Sequence, residues 1–90
     1  MNAITRIHPL SWQAEYILKK LNKGCYIRRG HGSSFLVFLH ENDGTEIDSF
    51  SFSTINALET RGFAVKSPLG NGWRWDITEQ GIHQVKAWQQ

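Results

Sequence analysis

The residues that could do chemistry here are four histidines, one cysteine and a run of carboxylates, and their spacing decides what they can do. His8, His31, His40 and His83 are scattered, and no pair stands at the i, i+4 separation that sets two imidazoles on one helix face. Cys25 lies near His31 in sequence, but nothing around them orients the imidazole. A cysteine opening an apolar strand behaves as a small hydrophobe rather than a nucleophile. Gly30-His31-Gly32-Ser33-Ser34 is glycine-rich yet lacks the strand–loop–helix setting that cradles phosphate. Glu41, Asp43, Glu46 and Asp48 cluster around an Asp-Gly dipeptide and read as the solvated flanks of a turn. The pattern implies no enzyme, no metal and no cofactor. Binding is the class of function that remains.

The elements that must carry a binding surface follow from periodicity. Residues 1–9 show none and read as an extended arm. Ser11 is placed to cap a first helix, in which Leu10, Ala14, Ile17, Leu18 and Leu21 form one apolar stripe and Gly24 marks the end. Its opposite face carries Trp12, Tyr16, Lys19, Lys20 and Lys23. That stripe either grips a phosphate backbone or an acidic protein, or packs its two rings on a neighbouring strand with the lysines solvated. Cys25–Ile27 reads as a short strand that leads into a flexible basic loop, Arg28–Ser33. Ser34–His40 and Glu46–Phe52 read as a hairpin about a two-residue Asp43-Gly44 turn, with Asn42 facing Thr45. In that register Val37 faces Phe50 and Phe35 faces Phe52 on the core side. Leu36, Phe38, His40, Ile47, Ser49 and Ser51 occupy the other face.

A second helix then opens at Ser51 or Ser53, repeats Ile55 and Leu58, and stops at Gly62. A second hairpin is expected about a three-residue Gly70-Asn71-Gly72 loop, with Leu69 facing Trp73, Ser67 facing Trp75 and Val65 facing Ile77. This register collects Val65, Leu69, Trp73, Trp75 and Ile77 on one face, pairs Lys66 with Asp76 and puts Arg74 beside Pro68. Thr78 caps a last helix in which Ile82, Val85 and Trp88 share a face. The fold class is therefore α+β: helix, β-hairpin, helix, β-hairpin, helix.

The stretch from Phe50 to Gln84 resembles the recognition helix and wing of the winged helix-turn-helix superfamily. "Ser…Thr-Ile…Ala-Leu-Glu…Arg-Gly-Phe" precedes a hairpin and "Trp-x-Ile-Thr-x-x-Gly". The resemblance implies DNA binding of the transcription-regulator type, with one helix in the major groove and a wing on an adjacent groove. On that helix it nominates Ser53, Thr54, Asn56, Thr60 and Arg61 as base readers, and Lys66 and Arg74 on the wing as phosphate contacts. One departure is plain: β-structure stands where such domains place their second helix.

Charge bears on the same question. Ninety residues with a net charge of +2 make one domain, but the charge is polarised along the chain. Residues 1–33 hold Arg6, Lys19, Lys20, Lys23, Arg28 and Arg29 against Glu15 alone. Residues 34–60 hold Glu41, Asp43, Glu46, Asp48 and Glu59 and no Lys or Arg. Lys19, Lys20, Lys23, Arg28 and Arg29 are thus further phosphate candidates, since the acidic middle cannot supply counterion release. The competing class is a protein-binding winged helix, an inhibitor or adaptor of a larger complex such as small bacterial toxins and phage proteins, or a homodimer. Trp12, Tyr16, Leu36, Phe38 and Ile47 are its interface candidates. A lone cysteine, no membrane-length apolar run and no signal-peptide pattern together point to a cytoplasmic setting.

Overall fold

The structure, a computed structural model, describes residues 10–30 and 35–89. The extended arm, and His31 to Ser34 of the basic loop and strand start, lie outside the described residues. The rest is an α+β domain of three helices and one antiparallel five-stranded sheet. In chain order the elements are α1 (Trp12–Leu21), β1 (Tyr26–Arg29), β2 (Leu36–His40), β3 (Glu46–Ser51), α2 (Phe52–Thr60), β4 (Ala64–Leu69), β5 (Gly72–Ile77) and α3 (Glu79–Trp88). The sheet order β3-β2-β1-β5-β4 shows what the short first strand does. By pairing with β2 on one side and β5 on the other, β1 fuses the two hairpins into one sheet.

The helices lie on one face of that sheet. Ala14, Ile17, Leu18 and Leu21 from α1, Ile55 and Leu58 from α2, and Val85 from α3 close on Ile27, Val37, Leu39, Ala64 and Trp75. Burial of this set supplies most of the driving force. The caps expected from sequence are made: Ser11 Oγ accepts the Ala14 N–H at 3.2 Å, and Thr78 Oγ1 accepts the Gly81 N–H at 3.0 Å. Between the two serines offered for α2, Ser51 is the cap; its Oγ accepts the Ser53 N–H at 3.2 Å.

The junction of α2 and α3 explains the Thr-x-x-Gly spacing. Thr78 Oγ1 also donates to the Gly62 carbonyl at 2.6 Å, and Gln80 Nε2 donates to the Arg61 carbonyl at 3.0 Å. A Cβ on Gly81 would sit 2.4 Å from the Phe63 carbonyl oxygen. Only a residue without a side chain lets α3 start that close to the chain leaving α2.

Several sequence expectations need correction. The first hairpin keeps Val37 opposite Phe50, but its turn has three residues, not two. The Glu41 N–H donates to the Thr45 carbonyl at 2.8 Å, and Gly44, at φ +94°, takes the left-handed position after Asn42-Asp43. Thr45 therefore pairs with Glu41 rather than Asn42. A bulge at Leu39/His40 restores the register, and Ile47, the extra residue, packs against the core rather than lying on the opposite face. Phe35 is 84% exposed. Its carbonyl still accepts the Phe52 N–H at 2.7 Å, but the helices do not reach far enough to cover its ring.

Arg28 and Arg29 belong to β1 rather than to a loop, so they project to opposite faces of the sheet. The second hairpin turns on two residues, with Leu69 paired to Gly72, Ser67 to Arg74 and Lys66 to Trp75. Gly70 takes φ +59° while Asn71 stays at negative φ, the pattern of a type II′ turn. Val65 and Leu69 consequently fall on the face opposite Trp73, Trp75 and Ile77. The requirement for one apolar face does not hold, because the helices cover only the half of this hairpin nearest Ala64 and Ile77. Val65 is left 54% exposed. In α3, Val85 is buried and Trp88 packs on the core, whereas Ile82 is half-buried.

Candidate nucleic-acid interface

Helix α2 shows a graded surface. Ile55 and Leu58 are fully buried, and Ser53, Asn56 and Thr60 stand exposed at helical spacing on the opposite side. Thr54 and Arg61 are half-buried between the two. Ser53 is also tied locally, its Oγ 2.7 Å from Ser51 Oγ. The helix contains one acid, Glu59. Its carboxylate does not face outward with Asn56; it accepts the indole N–H of buried Trp75 at 3.0 Å. The exposed strip of α2 is polar and uncharged.

Cations flank it. On the helix side of the sheet Arg29 lies with its guanidinium 4.4 Å from the Phe52 ring centre, at the first residue of α2. Lys66 sits 4.7 Å from the Trp73 ring centre on the β4–β5 hairpin, and Arg61 closes the helix as its C-cap. Each is a favourable cation–π or helix-end placement that leaves the charge near the surface.

The remaining basic candidates divide between other surfaces. Arg28 and Arg74 face one another across β1 and β5 on the sheet face away from the helices. Like charges so placed repel, and Asp76 offsets this by binding Arg74, with Nη2 at 3.0 Å and Nε 3.1 Å from both oxygens. Tyr26 is sandwiched there, its ring 4.1 Å from the Arg74 guanidinium and stacked on His40 at 5.2 Å. Arg74, expected as a phosphate contact on the wing, is on the wrong face to share a contact with α2 and already carries a carboxylate. On α1, Lys19 is exposed and Lys20 half-buried; Lys23, expected on the same helix face, is exposed in the turn beyond the Asn22 C-cap. Lys19 lies 5.7 Å from the Trp88 ring centre and Lys20 the same distance from that of Tyr16.

The interface candidates divide likewise. Tyr16 packs toward β3, its ring 6.0 Å from Phe50, which is the packed alternative for that side chain. Trp12 remains 72% exposed. Leu36 and Phe38 lie on the uncovered sheet face as expected, exposed and half-buried respectively.

What sequence reasoning missed is the Glu59–Trp75 bond and the role of Arg29. The Ile55 and Leu58 spacing set the helix face, but the bond from β5 to Glu59 joins side chains of separate elements that no local pattern pairs. Elsewhere Cys25 is buried, with its thiol 3.9 Å from a Glu41 carboxylate oxygen; burial first, and the Glu41 charge second, push its pKa up. Among the described residues no three His, Cys, Asp or Glu side chains come together as a metal site. No helix among them is long and apolar enough to cross a membrane. Comparison with protein-family models, with curated proteins and with solved structures finds no match to this chain.

Proposed function

We propose that this chain is a small, non-enzymatic, winged-helix-like module that binds DNA through α2, with the β4–β5 hairpin as its wing. The observation that carries the reading is the surface of α2. A helix that enters the major groove needs short polar side chains for base edges and no outward carboxylate to repel phosphates. Ser53, Asn56 and Thr60 provide the first, and the bond from Trp75 to Glu59 meets the second. Asn56 is the residue best suited to a bidentate contact with adenine. Arg29, Arg61 and Lys66 flank the helix as phosphate partners, with the α1 lysines as an outer set. Arg28 and Arg74 play no part in contacts made alongside α2.

A mobility shift on mixed-sequence duplex at low salt tests this. Binding should appear at low salt and weaken steeply as salt is raised. Asn56→Ala should flatten base preference, by about 1–3 kcal/mol at its contacted pair, more than it lowers non-specific affinity. A second reading, docking of a protein partner or a second copy, draws on the uncovered sheet face, where Leu36 is 43% and Val65 54% exposed. Absence of any shift at low salt would favour it.

A further inference from the structure

Beside α2 the helix-side face of the sheet ends in a group of rings that duplex reading does not use, set among two of its flanking cations. Cross-strand pairing sets Arg29 next to Trp73. The Arg29 guanidinium lies on the Phe52 ring, and Phe52 is joined to Phe35 through its backbone N–H. Lys66 lies over Trp73. The sequence of neighbours is Phe35, Phe52, Arg29, Trp73, Lys66, aromatic and basic interleaved with no carboxylate among the five. Its two outer rings are open to solvent, Phe35 at 84% and Trp73 at 40% exposure. A phenylalanine this bare gains nothing from burial on folding and keeps that gain for whatever covers it.

Intact B-form duplex offers such rings little, because its bases are stacked on one another. A single strand offers both things this ladder matches: base faces for Phe35 and Trp73, and phosphates for Arg29 and Lys66. We infer that Phe35, Trp73, Arg29 and Lys66 form a stacking site for unpaired nucleotides of a DNA strand adjoining the duplex that α2 reads. The preferred target is then a junction, a bubble or a duplex with a single-stranded tail. This inference rests on the DNA reading above and adds to it the structural state of the DNA.

The test is fluorescence anisotropy with three labelled probes at one low salt concentration: a blunt duplex, the same duplex with a thymine tail, and a thymine oligonucleotide of about 12 nucleotides. The tailed duplex should bind more tightly than the blunt one. Phe35→Ala and Trp73→Ala should each weaken the tailed and single-stranded probes by roughly 5- to 100-fold and leave the blunt duplex unchanged, and Trp73→Phe should retain most binding. Phe35→Ala alters an exposed side chain, and an unchanged thermal melt certifies the fold of each variant. Equal affinity for tailed and blunt duplex, or tail binding indifferent to both alanines, overturns the stacking site and leaves the DNA reading standing. No binding to any probe overturns both.

Discussion

Glu59 and Gly81 show how much single side chains decide in this fold. Removing the carboxylate in Glu59→Ala leaves the indole N–H of buried Trp75 without its acceptor. A loss of about 1–3 kcal/mol is expected by chemical denaturation; a change within about 0.5 kcal/mol, as for a solvated surface acid, would contradict the contact. Gly81→Ala sets two effects against each other. Alanine favours a helix by about 1 kcal/mol over glycine, but here its Cβ would lie 2.4 Å from the Phe63 oxygen and 2.8 Å from Ile77 Cγ1. Overpacking of this kind costs about 1–3 kcal/mol, so the net change should be destabilising. The Thr78-x-x-Gly81 spacing was legible in the sequence as a cap. Its tertiary purpose was not, since the partners at Gly62 and Phe63 come from another element. For Glu59 the sequence showed an acid in mid-helix, and that its carboxylate is engaged by Trp75 depends on a neighbour from another element.

At the scale of elements, both sheet edges are blunted. Alternation from the Phe52–Phe35 bond turns the Ser49 N–H outward from β3, and Asp48 Oδ1 accepts it at 2.8 Å. On β4 the edge carries Pro68, which has no N–H to offer. Such devices keep a sheet from extending into a neighbour. Asp48→Val should therefore bring concentration-dependent association, read by light scattering, with the monomer's helix content retained; a variant as monomeric as the parent would show that Asp48 does not guard the edge. The β2–β3 turn has its own acid sensitivity. Asp43 Oδ1 accepts the Thr45 N–H at 2.9 Å, and that bond holds the carboxyl below its ordinary value of 3.8. A lowered folded-state pKa means the turn's contribution is full above the ordinary value and is lost as pH falls through the lower one. Protection of the Thr45 amide, taken relative to its intrinsic exchange rate at each pH, should fall in that acid window, and Asp43→Ala should lack this protection at every pH. The order of these elements could be read from caps, glycines and periodicity. The bulge at Leu39/His40 and the two-residue second turn could not, because each reflects how far the helices reach over the sheet. Where coverage ends, alternation no longer constrains the register.

For the whole molecule, the proposal is a basic surface around α2 that binds DNA. Charge polarity along the sequence suggested a basic first third, and folding redistributes it. Arg28 goes to one sheet face and Arg29 to the other, while Lys66 arrives beside Arg29's side of the sheet from the second hairpin. That regrouping follows from β1 joining the hairpins, which no local pattern announces. The most direct measurement is the slope of log affinity against log salt for a mixed-sequence duplex, compared between the parent protein and Arg29→Gln, Lys66→Gln and Arg74→Gln. Arg29→Gln and Lys66→Gln should each reduce the slope by about 0.9 and weaken all duplexes alike, whereas Arg74→Gln should leave it unchanged. A slope lowered by Arg74→Gln but untouched by the other two, or no measurable duplex binding at low salt, would contradict it.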